Sequence, residues 1–61
     1  MILYDLLNKI SLKAEIQVCD ERGKLLQQGI RGETMWEDEL IGRKVCYISP
    51  GIVTKIFLIG W

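Results

Sequence analysis

Two cysteines, Cys19 and Cys46, are the first candidates for chemistry in this 61-residue chain, because it contains no histidine. Histidine is the commonest general base near neutral pH. A cysteine nucleophile needs a neighbouring base or cation to lower its pKa. In extended strands Cys46 would share a face with Lys44, whereas Cys19 would share a face with Glu15, whose carboxylate would raise the thiol pKa. We predict that both cysteines are reduced strand residues, packed as small apolar side chains or half exposed, and that the chain is not an enzyme.

Oxygen ligands for a hard cation could come from the acidic residues of the middle segment. The spacing of these residues matches no calcium loop, because alternating ligands around a central glycine are absent. Two cysteines without histidine do not readily complete a zinc site. Gly29 and Gly32 lack the Lys-Ser/Thr pair that follows a phosphate-binding loop. We therefore expect no metal and no cofactor.

The acidic segment is the best sequence candidate for a partner-binding site. Half of the eight acidic residues lie in it around Met35 and Trp36, namely Glu33, Glu37, Asp38 and Glu39. Tryptophan is enriched at interface hot spots, and a charged rim steers an oppositely charged partner. Alternatively, Trp36 packs inward against Leu40 while the acidic side chains solvate the outer surface. The sequence leaves both interpretations open.

The balanced net charge makes general nucleic-acid binding less expected than protein binding. Eight basic residues balance eight acidic ones, whereas a non-specific binder depends on excess cationic surface. A local basic face is the alternative, formed by Arg22, Lys24, Arg43 and Lys44 with the aromatic ring of Tyr47. No apolar run is long enough to cross a bilayer, and the early Asp5 is atypical of a secretion signal. We therefore expect a cytoplasmic protein without membrane contact.

The hydrophobic pattern predicts two helices and four strands. Leu3, Leu6, Leu7 and Ile10 form one helical stripe, and residues 13–20 alternate like a strand with one buried face. Asp20 and Gly23 are typical of a tight hairpin turn. The predicted segments are a helix over 3–10, strands over 13–20 and 24–30, a short helix or helical turn over 32–40, and strands over 44–49 and 53–61.

This order predicts a single α+β domain over residues 1–61, arranged helix, β-hairpin, short helix, β-hairpin. Consecutive strands that are joined by a short turn pair antiparallel. We expect a four-stranded antiparallel sheet or a partly open small barrel, with the first helix covering one face. The alternative is two hairpins joined across a dimer.

The last strand indicates self-association. Ile56 and Leu58 must point away from Phe57, Ile59 and Trp61. Both faces of this strand therefore carry apolar side chains that are more stable when they are buried. A chain of this size has little material for two covering layers. We predict that Phe57, Ile59 and Trp61 form a homo-oligomer interface. The alternative is that the second helix and the loops at Ile41 and Ile52 cover this face.

The pattern Asp5-Leu6-Leu7, Glu15-Ile16-Gln17-Val18, then Asp20, Gly23-Lys24-Leu25-Leu26 and Gly29 resembles small uncharacterised accessory proteins of phages and mobile elements of Gram-positive bacteria. The resemblance covers nearly the whole length, and its motifs are turns and core positions. It breaks off at residues 35–39. It brings no catalytic residues, and it implies a protein that binds, blocks or sequesters a bacterial host factor.

We therefore expect a non-enzymatic binding module, a phage-type accessory protein that acts as a homo-oligomer and inhibits or sequesters a bacterial protein such as a CRISPR–Cas or other defence component. The first alternative is a small nucleic-acid-associated β-domain. A further alternative is a structural subunit of a complex or particle.

Overall fold

The computed structural model describes residues 1–59, which fold into two short helices and four strands. In chain order the elements are α1 (Leu3–Leu7), β1 (Glu15–Cys19), β2 (Leu25–Ile30), α2 (Asp38–Ile41), β3 (Val45–Ser49) and β4 (Thr54–Leu58). The predicted α+β order of helix, hairpin, short helix and hairpin is confirmed. All six elements are shorter than the patterns suggested.

Helix α1 ends at Leu7, before Ile10, because its last carbonyls have other partners. The Arg31 side chain donates from Nε to the Leu7 carbonyl oxygen at 2.6 Å. The amides of Lys9 and Ile10 bond three residues back, which tightens the end of the helix. Ile10 still packs against the core. The hydrophobic stripe was therefore predicted correctly and only the helix boundary was wrong.

The sheet has the order β2-β1-β4-β3 and is mixed. Both hairpins, β1 with β2 and β3 with β4, are antiparallel, as predicted. The two central strands, however, pair parallel, with Ile16 level with Thr54 and Val18 level with Ile56. The prediction of a wholly antiparallel sheet was therefore wrong at the junction of the hairpins. The sheet is also open, with β2 and β3 as its outer strands, so it is not a closed barrel.

The connection between the hairpins explains the parallel junction. Between β2 and β3 the chain runs over one face of the sheet through α2, and it returns to the end at which β2 began. Strands β2 and β3 therefore run in the same direction. Each hairpin reverses the chain once, so β1 and β4 also share a direction and meet as parallel neighbours.

The hydrophobic core lies between the helices and one sheet face. Its members share nearly complete burial: Leu3, Leu6, Leu7, Ile16, Val18, Leu40, Ile56 and Leu58. The alternation predicted for the first and last strands places these strand residues on one side, as observed. Because α1 and α2 are both very short, their stability comes from this docking rather than from helix propensity.

The turn between β1 and β2 has the predicted chemistry. One Asp20 carboxylate oxygen accepts the amide hydrogens of Arg22 and Lys24, at 2.8 and 2.9 Å. Gly23 has a φ of 88°, a left-handed conformation that side chains with a Cβ rarely adopt. The pair Asp20 and Gly23 therefore fixes the register of this hairpin.

Gly29 is required by a close approach rather than by backbone conformation. A Cβ at this position would lie within 3.0 Å of three side-chain atoms of Thr34, from the connection that covers the sheet. We expect Gly29→Ala to destabilise the fold by about 1–3 kcal/mol, because overpacking forces the covering segment away. Thermal unfolding measures this effect. Gly42→Ala is the matched control, since a Cβ there meets nothing within 4 Å, and an equal loss in both variants would contradict the packing argument.

Candidate functional site

Strand β4 has one buried face and one accessible face. Ile56 and Leu58 are 0% and 1% exposed, in contact with the core. On the opposite side Lys55 is exposed, Phe57 is half-buried and Ile59, just beyond the strand, is 43% exposed. The alternation expected from the sequence is confirmed. Trp61, the third residue of the predicted interface, lies outside the described residues.

Within residues 1–59 no element covers the second face of the sheet. Helix α2 lies on the same side as α1, because Leu40 belongs to the shared core and Ile41 packs against it. Ile52 is fully exposed. The alternative in which α2 and these loops form a second cover was therefore wrong. We call the uncovered surface the open face; by register and burial it carries Glu15, Gln17, Cys19, Leu25, Gln28, Ile30, Tyr47, Ser49, Lys55, Phe57 and Ile59.

One half of the open face is apolar. Tyr47 and Phe57 are register partners on β3 and β4, and their rings stack with centroids 4.3 Å apart and planes 10° from parallel. Tyr47 is 53% exposed, and Leu25 at the other side of the sheet is 45% exposed. Together with Ile59 these side chains form an apolar row across all four strands. This grouping of exposed apolar side chains makes the row a candidate interaction surface.

Cys19 lies in the middle of this row, yet it is only 4% exposed. It is level with Leu25 on one side and Phe57 on the other. Burial raises the pKa of its thiol; the nearby charge of Lys55 lowers it in part and that of Asp20 raises it. Cys19 therefore remains a protonated, apolar part of the face. The other free thiol, Cys46, is exposed on the outer strand β3.

The other half of the open face is mainly polar, although it includes the half-buried Ile30, the register partner of Glu15. The Gln17 side-chain amide donates to that of Gln28 across β1 and β2, at 3.4 Å. Glu15 and Lys55 are exposed on the two central strands. A shallow depression of about 310 Å³ lies beside Glu15 and Gln17. Sequence reasoning did not select Glu15, Gln17 or Lys55 as site residues. Alternation places Glu15 and Gln17 on one face of β1, but only the β1–β4 register shows that Lys55 lies beside them.

The acidic segment divides into a buried and an exposed part. Trp36 is half-buried against the core, and its indole N–H donates to the Arg31 carbonyl at 3.1 Å. The Gln27 side chain donates to the Met35 carbonyl and accepts the Glu37 amide hydrogen, which holds this stretch extended rather than helical. The four acidic side chains, Glu33, Glu37, Asp38 and Glu39, are exposed. Partner binding by this segment stays a prediction, with Met35, 92% exposed, as its accessible apolar residue.

The residues of the predicted basic face are brought to one end of the sheet. Arg22 and Lys24 lie in the β1–β2 turn, and Arg43 and Lys44 precede β3 at the same end. Arg43 is half-buried and donates to the Ile59 carbonyl at 2.6 Å, which ties β3 to the end of β4. Tyr47 lies nearby on the open face. The same turn also carries Asp20 and Glu21, so this end has mixed charge.

Residues 1–59 contain no group of three or more side chains that could hold a metal ion. Among the same residues, neither helix is long and apolar enough to span a bilayer. The open face, with its exposed apolar row, is the main candidate for a functional site. Comparison with protein-family models, with curated proteins and with solved structures finds no match to this chain.

Proposed function

We propose that this chain is a non-enzymatic binding module whose open face binds a protein surface, in the first place a second copy of the chain. The observation that supports this proposal is the absence, within residues 1–59, of any cover over Phe57, Tyr47 and Ile59. Exposed apolar rows rimmed by polar side chains are typical of protein interfaces. Two such sheet faces can pack as the two layers of a sandwich.

The size of the face determines how strong this association should be. Four strands about 4.8 Å apart and five residues long, at about 3.3 Å each, give a footprint of roughly 300 Å². Stable dimers bury roughly 800 Å² per partner, and smaller interfaces are weak or transient. We therefore propose a weak, transient dimer rather than a permanent one.

The resemblance to phage and mobile-element proteins supports the rest of the proposal. In a face-to-face dimer the helical sides point outward, and with them the exposed acidic segment. We propose that this outer surface binds and inhibits or sequesters a bacterial protein in the cytoplasm, one with a basic surface, such as a defence component. Charge complementarity would steer that encounter.

Sedimentation analysis over a concentration series tests the self-association. We expect a 7.0 kDa species at low micromolar concentration and twice that mass at high micromolar to millimolar concentration. The apolar face predicts that added salt leaves the dimer largely intact. A single 7.0 kDa species throughout the series would refute the proposal.

The second candidate function is nucleic-acid binding, favoured by the gathering of Arg22, Lys24, Arg43 and Lys44 at one end of the sheet. Base stacking needs an accessible aromatic face. Here one face of Tyr47 is already occupied by Phe57, and the chain has no net charge. We therefore rank it second. Retention on heparin that falls steeply with salt would reverse this order.

A further inference from the structure

Another depression lies on the helical side of the molecule, away from the open face. It has a volume of about 190 Å³ and is bounded by α1, by α2 and by the connection that follows β2. Sites for drug-sized ligands have roughly 300–1,000 Å³, so a ligand here would be small. The six lining residues are Tyr4, Leu7, Asn8, Arg31, Trp36 and Ile41.

Arg31 is held in this depression by four hydrogen bonds. Its backbone amide donates to the Ala14 carbonyl at 2.9 Å, and its carbonyl accepts the indole N–H of Trp36 at 3.1 Å. Its side chain donates from Nε to the Leu7 carbonyl at 2.6 Å and from Nη2 to the Asn8 side-chain oxygen at 3.3 Å. The guanidinium and the indole ring are therefore positioned before any ligand binds, which lowers the entropic cost of binding.

Only one edge of the planar guanidinium is used within the fold. Nε and Nη2 form the edge that meets Leu7 and Asn8. The N–H groups of the other edge, on Nη1 and Nη2, have no protein partner within residues 1–59, and Arg31 forms no ion pair with a carboxylate in this range. A guanidinium edge of this kind binds a carboxylate through two parallel hydrogen bonds. Capping of α1 explains the first edge of Arg31 and leaves the second available.

The surroundings of Arg31 determine the rest of the ligand. Trp36 and Ile41 are half-buried and Tyr4 is 53% exposed, so their side chains offer apolar and aromatic contact. Asp5 and Glu37 follow Tyr4 and Trp36 in the chain and are exposed. Their negative charges disfavour a ligand with more than one negative charge. A single carboxylate on an apolar body fits this combination better than a phosphate does.

We propose that this depression binds an apolar monocarboxylate, with the carboxylate on the free edge of Arg31 and a body of about one ring against Tyr4, Trp36 and Ile41. The proposal is independent of the self-association proposed above, because α1 and α2 lie on the opposite side of the sheet from the open face. A free aromatic acid and the last residue of a polypeptide share this chemistry.

Phenylpropionate and its uncharged amide, phenylpropionamide, form a matched pair of ligands for an NMR titration of the unaltered chain. We expect the acid to shift the signals of Tyr4, Arg31 and Trp36 with a dissociation constant on the order of millimolar. The amide should bind at least about tenfold more weakly, because it lacks the charge-assisted hydrogen bonds. Equal binding of acid and amide, or the absence of saturable shifts at these residues, would overturn the proposal.

Arg31→Gln should abolish the preference for the acid over the amide, because it removes the charged edge. Arg22→Gln is the matched control, since Arg22 is exposed in the β1–β2 turn and the charge change is the same. A preference that survives Arg31→Gln would overturn the proposal. Thermal unfolding checks the fold of this variant, because Arg31 also caps α1. If it does not fold, the comparison of acid and amide on the unaltered chain decides.

Tyr4→Ala tests the apolar wall and leaves Arg31 in place. It should weaken acid and amide alike, by about threefold, because both lose the same ring contact. Acetylated glycylphenylalanine distinguishes the two sources of the carboxylate. Tighter binding than that of phenylpropionate would support a polypeptide chain end as the ligand, and weaker binding would support a free acid.

Discussion

Ile56→Glu is expected to unfold the chain completely at 25 °C. Ile56 is 0% exposed on a central strand, in contact with the core beneath α1. The substitution removes about 2–4 kcal/mol of apolar burial and cavity filling, and it adds the cost of an uncompensated buried carboxylate. A domain of this length has only about 3–9 kcal/mol in total. The combined loss exceeds what the fold can tolerate.

Circular dichroism and thermal unfolding measure this outcome, with loss of the cooperative transition as the expected result. Ile56→Val is the conservative control and should cost about 1 kcal/mol. If Ile56→Glu retained a cooperative transition, the assignment of this face to the core would be wrong.

Phe57→Glu, one residue further along, is expected to have a different effect. The chain should stay folded, because Phe57 lies on the open face and does not belong to the buried core. The dimer should weaken at least about hundredfold, since a carboxylate would have to be buried at the centre of the contact. Loss of the ring stack on Tyr47 should lower stability by only about 1 kcal/mol.

Sedimentation gives the association and thermal unfolding gives the stability, so the two effects separate. Ile59→Glu is a second variant on the same face that disturbs the fold less, because Ile59 lies beyond the end of β4. Met35→Glu adds the same charge at an exposed position elsewhere. Unchanged dimerisation in both open-face variants would refute the proposed site, and an equal loss with Met35→Glu would attribute the effect to net charge.

The local features of this fold could be predicted from the sequence because each depends on near neighbours. Alternation in residues 13–20 showed which side chains of β1 are buried, and Asp20 with Gly23 specified the turn. The stripe from Leu3 to Ile10 identified the face of α1 that meets the sheet. In each case the periodicity of one element, or the residue types of one turn, were sufficient.

The parallel junction could not be predicted in the same way, because it depends on the path of the chain between the hairpins. The spacing of Trp36 and Leu40 predicted a helix over 32–40, yet the Gln27 side chain holds the stretch at Met35 and Glu37 extended, and α2 begins only at Asp38. That extended path returns the chain along the sheet. The same register places Lys55 beside Gln17, which alternation within one strand could not show, whereas alternation alone placed Phe57 and Ile59 on the face opposite Ile56.

The pairing of β1 with β4 also has a consequence for the folding kinetics of this chain. Each hairpin closes a short loop, whereas the ladder from Ile16 and Thr54 to Cys19 and Phe57 joins segments from opposite ends of the sequence. Closing that long loop costs the most chain entropy before any contact compensates for it. We infer that the central ladder forms last and limits the folding rate. Until it forms, β1 and β4 each have one unpaired backbone edge. Such an edge could equally pair with β4 or β1 of another molecule.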